Sequence, residues 1–97
     1  MANLTYAREN LTRAVIALVE LDGALNCRLR EALRHVLYIP PSALPPGLSE
    51  RLRGIHDIVE PKGVSGYVSS IRRKKRQWLA GEILSLRDDV VEAAYRC

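Results

Sequence analysis

The chain has no phenylalanine, one tryptophan and four tyrosines, so aromatic residues contribute little to its core. Leucine, valine, isoleucine and alanine must fill the interior instead, and leucine and alanine are strong helix formers. The apolar fraction of 47% and the charged fraction of 27% are typical of a folded protein rather than a disordered one. We therefore expect a single helical domain over residues 1–97.

Cysteine and histidine are also scarce, with two residues of each. Cys27 and Cys97 are isolated and form no CxxC pair, which excludes a disulfide framework and favours a reduced, cytoplasmic setting. His35 and His56 show no ligand spacing, and neither has a clear nucleophile or orienting acid beside it in the sequence. We therefore interpret both histidines as structural or surface residues, and we expect no enzyme, no metal and no cofactor.

Long apolar runs are absent as well. The longest covers residues 14–19, far short of the roughly 20 residues that a helix needs to cross a bilayer. The first ten residues lack the basic and apolar segments of a signal peptide. The sequence thus predicts no membrane partner, and no motif in it indicates a small-molecule substrate.

Apolar residues recur at helical spacing in four segments, at about residues 4–21, 25–37, 48–59 and 77–95. Asp22 and Gly23 form a turn signal, and the proline-rich residues 40–47 form a stiff connector. Pro61 ends the third segment, and residues 62–66 are predicted to be a loop in which Ser65 caps a short helix. We predict an all-α fold, a compact four-helix bundle that has room for a short fifth helix before the basic residues.

The net charge of +4 comes from one short run. Residues 1–60 carry seven arginines and seven acidic residues, whereas residues 61–97 carry eight basic and four acidic residues. Five of those eight are consecutive, and we call them the basic run: Arg72, Arg73, Lys74, Lys75 and Arg76. Proteins that bind nucleic acid through phosphates usually spread their cations over a surface, so this charge is expected to be a local feature.

The residues before the run allow a helix-turn-helix interpretation. The stretch Gly63–Ser65 is typical of the start of a recognition helix, with arginines following. Three features argue against it: Pro61 interrupts the preceding helix, Val68 is one residue early for the inward apolar position, and Gly66 lies where a base-reading side chain is needed. One residue rotates a helical side chain by about 100°, so the reading face would be misplaced.

A continuous helix over residues 67–95 is the second interpretation. It would place Arg72 and Lys75 within the apolar stripe, so we predict a break near the basic run and a corner where all the charges stay hydrated. Such a corner still allows weak, salt-sensitive contact with phosphate. Trp78 follows the run, and it can stack on a base or form the rim of the core.

The last helix carries a second apolar stripe in addition to its inner one. Ala80, Leu84 and Val91 lie about 120° from the inner positions on a 3.6-residue wheel. If the bundle leaves them uncovered, they form a surface for a protein partner or a second copy of the chain; if the helix is central, they are internal. The leading expectation is a non-catalytic module for protein–protein interaction or for self-association as a homodimer. The alternative is nucleic-acid binding through the basic run and Trp78, either as a helix-turn-helix or by non-specific phosphate contact.

Overall fold

The computed structural model describes residues 4–20 and 23–96, and these residues form helices and turns without a β-strand. In chain order the α-helices are α1 (Leu4–Glu20), α2 (Leu25–Leu37), α3 (Pro46–Val59), α4 (Gly63–Ser70) and α5 (Arg73–Arg96). A short 3-10 turn at Pro41–Ala43 lies between α2 and α3. The all-α prediction is confirmed, and the short fifth helix before the basic residues is α4. Within these two ranges, no helix has both the length and the apolar character needed to cross a membrane.

One cluster of aliphatic side chains holds the helices together. Packing is most extensive between α1 and α2 and between α1 and α5, which places α1 against two neighbours. Ala7, Leu11 and Ala14 of α1 are completely buried. Leu33 of α2 and Ile83 of α5 are buried equally well. The leucine and alanine supply of the sequence therefore builds the helix-on-helix core that its composition predicts.

The connector between α2 and α3 is anchored by two aliphatic residues, Ile39 and Leu44, which are both buried. Helix α3 begins at Pro46 rather than at Leu48, because proline fits the first position of a helix, where the N–H has no intrahelical partner. Arg51 of α3 then donates hydrogen bonds to Asp89 and, at 3.0 Å, to the hydroxyl of Ser85. These bonds join α3 to α5.

The turn from α3 to α4 is shorter than the loop predicted over residues 62–66. Helix α4 already begins at Gly63, so Ser65 lies inside it and donates or accepts no capping bond. Gly63 has a φ of +74°, a left-handed conformation that glycine adopts without strain. Its amide donates to the Glu60 carbonyl at 3.2 Å, which reverses the chain within a few residues of Val59.

A break separates α4 from α5, as predicted, but it lies before the basic run rather than within it. Ile71 is extended, with φ −102° and ψ 154°, and only Arg72 of the run lies in the break. The last helix begins at Arg73 instead of Gln77, so four of the five cations lie in its first turn and not in the break. The first turn of α5 lies at the surface of the bundle, where even Lys75, in line with the inner stripe, is exposed.

Candidate functional site

The basic run lies where several helix ends come close together. The carbonyl of Leu18, near the end of α1, accepts a 2.7 Å hydrogen bond from Nη1 of Arg28 in the first turn of α2. Arg28 in turn lines a cavity together with Arg73 and Arg76, at the start of α5. The end of α1 and the starts of α2 and α5 therefore come together at the basic run.

Arg30 is connected to the same region from the next turn of α2. Its Nη2 donates to the hydroxyl of Ser69 at 2.9 Å, and Ser69 lies at the end of α4, just before the break. We call the surface formed by these cations the basic end; it comprises Arg28, Arg30, Arg72, Arg73, Lys74, Lys75 and Arg76. The excess positive charge still comes from the basic run, and the fold adds Arg28 and Arg30 of α2 beside it.

The start of α5 concentrates positive charge at a helix N-terminus. The carbonyl of Arg72 accepts from the amide of Arg76 at 3.0 Å, so Arg72 occupies the capping position. Arginine has no acceptor atom and cannot cap the free amides of the first turn. No acidic residue lies in that turn either. The cations thus add to the partial positive charge that the helix dipole already places there.

The carboxylates of the described chain make their ion pairs elsewhere. Glu31 pairs with Arg34 and His35, Asp89 with Arg51, and Glu92 with Arg96. Among the side chains of residues 4–19 and 23–96, no carboxylate forms an ion pair with the basic run, and Arg72, Arg73, Lys74 and Lys75 are all exposed. Their charge is therefore available to an external anion.

A cavity of about 420 Å³ separates the start of α2 from the start of α5. It is lined by Ala24, Leu25, Asn26, Arg28, Arg73, Arg76 and Gln77. Three guanidinium-bearing residues from two helices thus surround one volume, and no carboxylate is among its lining residues in the described chain. Helix α2 also begins without an acidic residue in its first turn, and its capping residue, Ala24, has no polar side chain.

Backbone carbonyls hold two of these arginines in place. Arg28 is fixed by its bond to Leu18, and Arg76 donates from Nε to the carbonyl of Val68 at 3.2 Å. Each guanidinium carries five N–H donors, so each bond leaves donors for another acceptor. The Nε of Arg28 is buried and has no hydrogen-bond partner in the described part of the chain. Arg28 and Arg76 are therefore held in place at the cavity, and their guanidinium groups keep N–H donors for another acceptor.

Trp78 lies one turn beyond Lys74 and remains 47% exposed. The Nζ atom of Lys75 lies 4.1 Å from the centroid of its ring, within the distance of a cation–π contact. The indole is therefore neither a core residue nor isolated from the basic run. Both roles expected for Trp78, the rim of the core and a stacking surface for a base, are compatible with this partial exposure.

The second stripe of α5 is partly covered by the bundle. Ala80 packs against the core, and Val91 is half-buried. Leu84 is 39% exposed, and Tyr95, one turn after Val91 on the same side of the helix, is 92% exposed. The stripe is therefore neither fully internal nor fully exposed.

Both histidines have an acid nearby, contrary to the expectation from the sequence: Nε2 of His35 lies 3.6 Å from Oε1 of Glu31. The second case is His56. It is buried, and its Nδ1 lies 3.0 Å from Oε1 of Glu60, one turn further along α3. An acid therefore does lie beside this ring. In the described ranges, no group of three or more histidine, cysteine or acidic side chains is arranged to hold a metal ion.

The exposed residues of helix α4 lack the long polar side chains that read bases. Its buried residues are Tyr67 and Val68, while Ser65, Gly66 and Ser69 are exposed. A recognition helix reads base edges with long polar side chains in the major groove, and this helix presents glycine and short hydroxyls instead. The cations lie beyond it, in α5.

Comparisons of the chain with protein-family models, with curated proteins and with solved structures give no match. Function is therefore inferred from the geometry of the basic end.

Proposed function

We propose that this protein binds nucleic acid through phosphate contacts at the basic end, without catalysis. The observation that carries the proposal is the position of the basic run. Its cations begin an ordered helix at the surface, and in the described chain they have no carboxylate partner. Arg28 and Arg30 extend the positive surface onto α2.

Several cations on one surface suit a polyanion better than a single ion. Nucleic acid presents a phosphate at each nucleotide, and neutralising several of them releases condensed counterions, which drives binding at low salt. The exposed side chains of Arg72, Lys74 and Lys75 are long and can reach different phosphates. The exposed residues of α4 offer no cation to a groove, which favours contact with the backbone over a helix-turn-helix reading of bases.

The adjacent indole favours single strands over duplex. An unpaired base can stack on Trp78, whereas the bases of a duplex are already stacked. The Lys75 ammonium on the ring adds a cation next to the base, where the phosphate of the same nucleotide is near. We also place the protein in the cytoplasm, in keeping with the free, exposed thiol of Cys27.

Fluorescence anisotropy with a labelled single strand tests this proposal. Replacing Lys74 and Lys75 together by glutamine should weaken binding and lower the slope of log K against log salt by about 1.4, from about 0.7 per lost phosphate contact. The matched control replaces Arg8 and Arg53 by glutamine; both are exposed and have no ion partner in the described chain. The control removes the same charge from other helices and should leave the slope unchanged. Absence of binding at low salt, or an equal loss in the control, would refute the proposal.

Self-association through α5 is a second candidate function. It is supported by the partial exposure of Leu84 and by the exposed Tyr95 on the same side of the helix. Together with Ala80 and Val91 they form an apolar strip on a charged surface, which suits a second copy of the chain or another protein. This candidate uses a different part of α5 from the basic end, so the two functions are compatible.

A further inference from the structure

We infer that the cavity between the starts of α2 and α5 is a subsite for one phosphate monoester, such as the terminal phosphate of a nucleic-acid strand. This inference rests on the proposed function and makes it more specific. The exposed side chains of the basic run would contact phosphates along the strand, while the cavity would hold its end. A free mononucleotide carries the same phosphate monoester group, and competition binding distinguishes it from the end of a strand.

The lining of the cavity matches the charge of a monoester. A terminal phosphate carries between one and two negative charges at neutral pH, whereas a phosphate within a strand carries one. Arg28, Arg73 and Arg76 supply three positive charges from two helices to one volume. Guanidinium groups bind phosphate oxygens through paired N–H donors, which makes arginine the preferred residue for such a site.

The size of the cavity is also suitable. At about 420 Å³ it exceeds the volume of an ion alone and lies within the range of about 300–1,000 Å³ seen for small-ligand sites. Asn26 and Gln77 add neutral amides to its lining, and Ala24 and Leu25 add apolar surface. A phosphate together with part of its nucleoside would therefore meet charged, polar and apolar groups.

Two of the arginines are positioned before any ligand arrives. Arg28 is bonded to the Leu18 carbonyl and Arg76 to the Val68 carbonyl, so neither must be ordered from a freely rotating state. Each of these bonds uses one N–H of the guanidinium and leaves others unused. An anion in the cavity would supply acceptors to this end of the molecule. The positive ends of the α2 and α5 helix dipoles would add to the attraction.

Arg73 is the best residue for a test. It lines the cavity, is exposed, and forms no side-chain hydrogen bond with a described residue, so Arg73→Gln should leave the fold intact. Lys74 is its neighbour in the same turn, is equally exposed and does not line the cavity. Lys74→Gln is therefore the matched control, since it removes the same charge from the same helix start.

The experiment measures binding of one single-stranded oligonucleotide, labelled at its 3′ end, with either a phosphate or a hydroxyl at its 5′ end. The protein should bind the phosphorylated strand about tenfold more tightly, as expected for one charge-assisted arginine–phosphate contact. Arg73→Gln should lose this preference, while Lys74→Gln should weaken both strands by the same factor and keep the preference. Thermal melting of each variant checks that the fold is retained.

Competition by a nucleoside monophosphate and by inorganic phosphate separates the sources. If the mononucleotide displaces the phosphorylated strand at lower concentration than inorganic phosphate does, and Arg73→Gln abolishes this advantage, the site takes a free nucleotide as well as a strand end. If neither displaces it, while the tenfold preference holds, the site takes strand ends only. Equal binding of the two strands by the unaltered protein would overturn the subsite and leave the proposed function standing. Binding of neither strand would overturn both.

Discussion

The Nζ atom of Lys75 lies 4.1 Å from the centroid of the Trp78 ring. This contact joins the basic run to the only tryptophan of the chain, which makes the indole a natural fluorescent reporter of the basic end. A cation–π contact at an exposed site contributes about 0.5–1 kcal/mol, so it orients the ring without fixing it.

Replacing Trp78 with alanine should weaken single-strand binding and leave duplex binding nearly unchanged. Loss of one base–aromatic stack costs about 1–3 kcal/mol, whereas phosphate contacts to a duplex do not use the ring. Titration of the unaltered protein with single-stranded DNA should quench its tryptophan fluorescence over the same concentration range as the anisotropy change. Trp78→Phe keeps an aromatic surface and should retain most of the affinity. An equal loss for single strand and duplex would mean that the ring does not stack on bases.

Replacing Lys74 with glutamate should stabilise the protein while it weakens nucleic-acid binding. An acid in the first turn of a helix is favourable by about 0.3–1 kcal/mol, and the change also removes repulsion among the cations of the basic run. Lys74→Gln should give an intermediate gain, because it removes the repulsion but adds no favourable charge. Urea unfolding at low salt measures both differences. A free energy of unfolding that is lower in the glutamate variant than in the unaltered protein would contradict this prediction. It would mean that the charge of the basic run is already neutralised in the folded protein.

Tyr67 should make the stability depend on pH in the alkaline range. Burial of its phenol raises its pKa above the ordinary value of 10.0, because the charged phenolate is poorly solvated there. The unfolded chain therefore loses this proton at a lower pH than the folded chain. The contribution of Tyr67 to the free energy of unfolding is constant below pH 10.0. The free energy of unfolding then falls as the pH rises towards the pKa of Tyr67 in the folded protein. Urea unfolding on both sides of pH 10.0 measures the fall, which should be smaller in Tyr67→Phe. The same fall in both proteins would assign it to other groups.

Replacing Leu84 with aspartate should abolish self-association if the second stripe of α5 is the contact surface. Leu84 is already 39% exposed, so the change should cost the monomer little stability. Sedimentation velocity over a range of concentrations measures the effect. The control is Ser85→Asp, which places the same charge on the adjacent residue, on the side of α5 that bonds to Arg51. A chain that is monomeric at all concentrations before any change would remove the second candidate function.

The helix interiors could be predicted from the sequence, but several of the helix starts could not. Helix α2 matches its predicted range because its apolar stripe ends at Leu37 and prolines follow soon afterwards. Helices α3, α4 and α5 begin at Pro46, Gly63 and Arg73, earlier than a search for polar caps and apolar periodicity suggests. Each start depends on something other than a cap: the fixed φ of proline, the left-handed φ of glycine, and the exposed position of the first turn of α5.

Five of the seven residues of the basic end were visible in the sequence. Five adjacent cations identify the basic run directly, and its charge does not depend on the fold. Arg28 and Arg30 lie far from it along the chain, in a region where positive and negative residues balance. Helical periodicity shows which residues share a face of one helix, but it carries no information on which helix start lies beside another. The cavity is produced by that packing and could be found only in three dimensions.

The meeting of Leu18, Arg28 and Arg76 has a consequence for the dynamics of the whole molecule. An anion held between these segments would act as a noncovalent cross-link between the first third of the chain and the last helix. Hydrogen exchange should then slow in both α2 and α5, because separating these two helices would first require release of the shared ion.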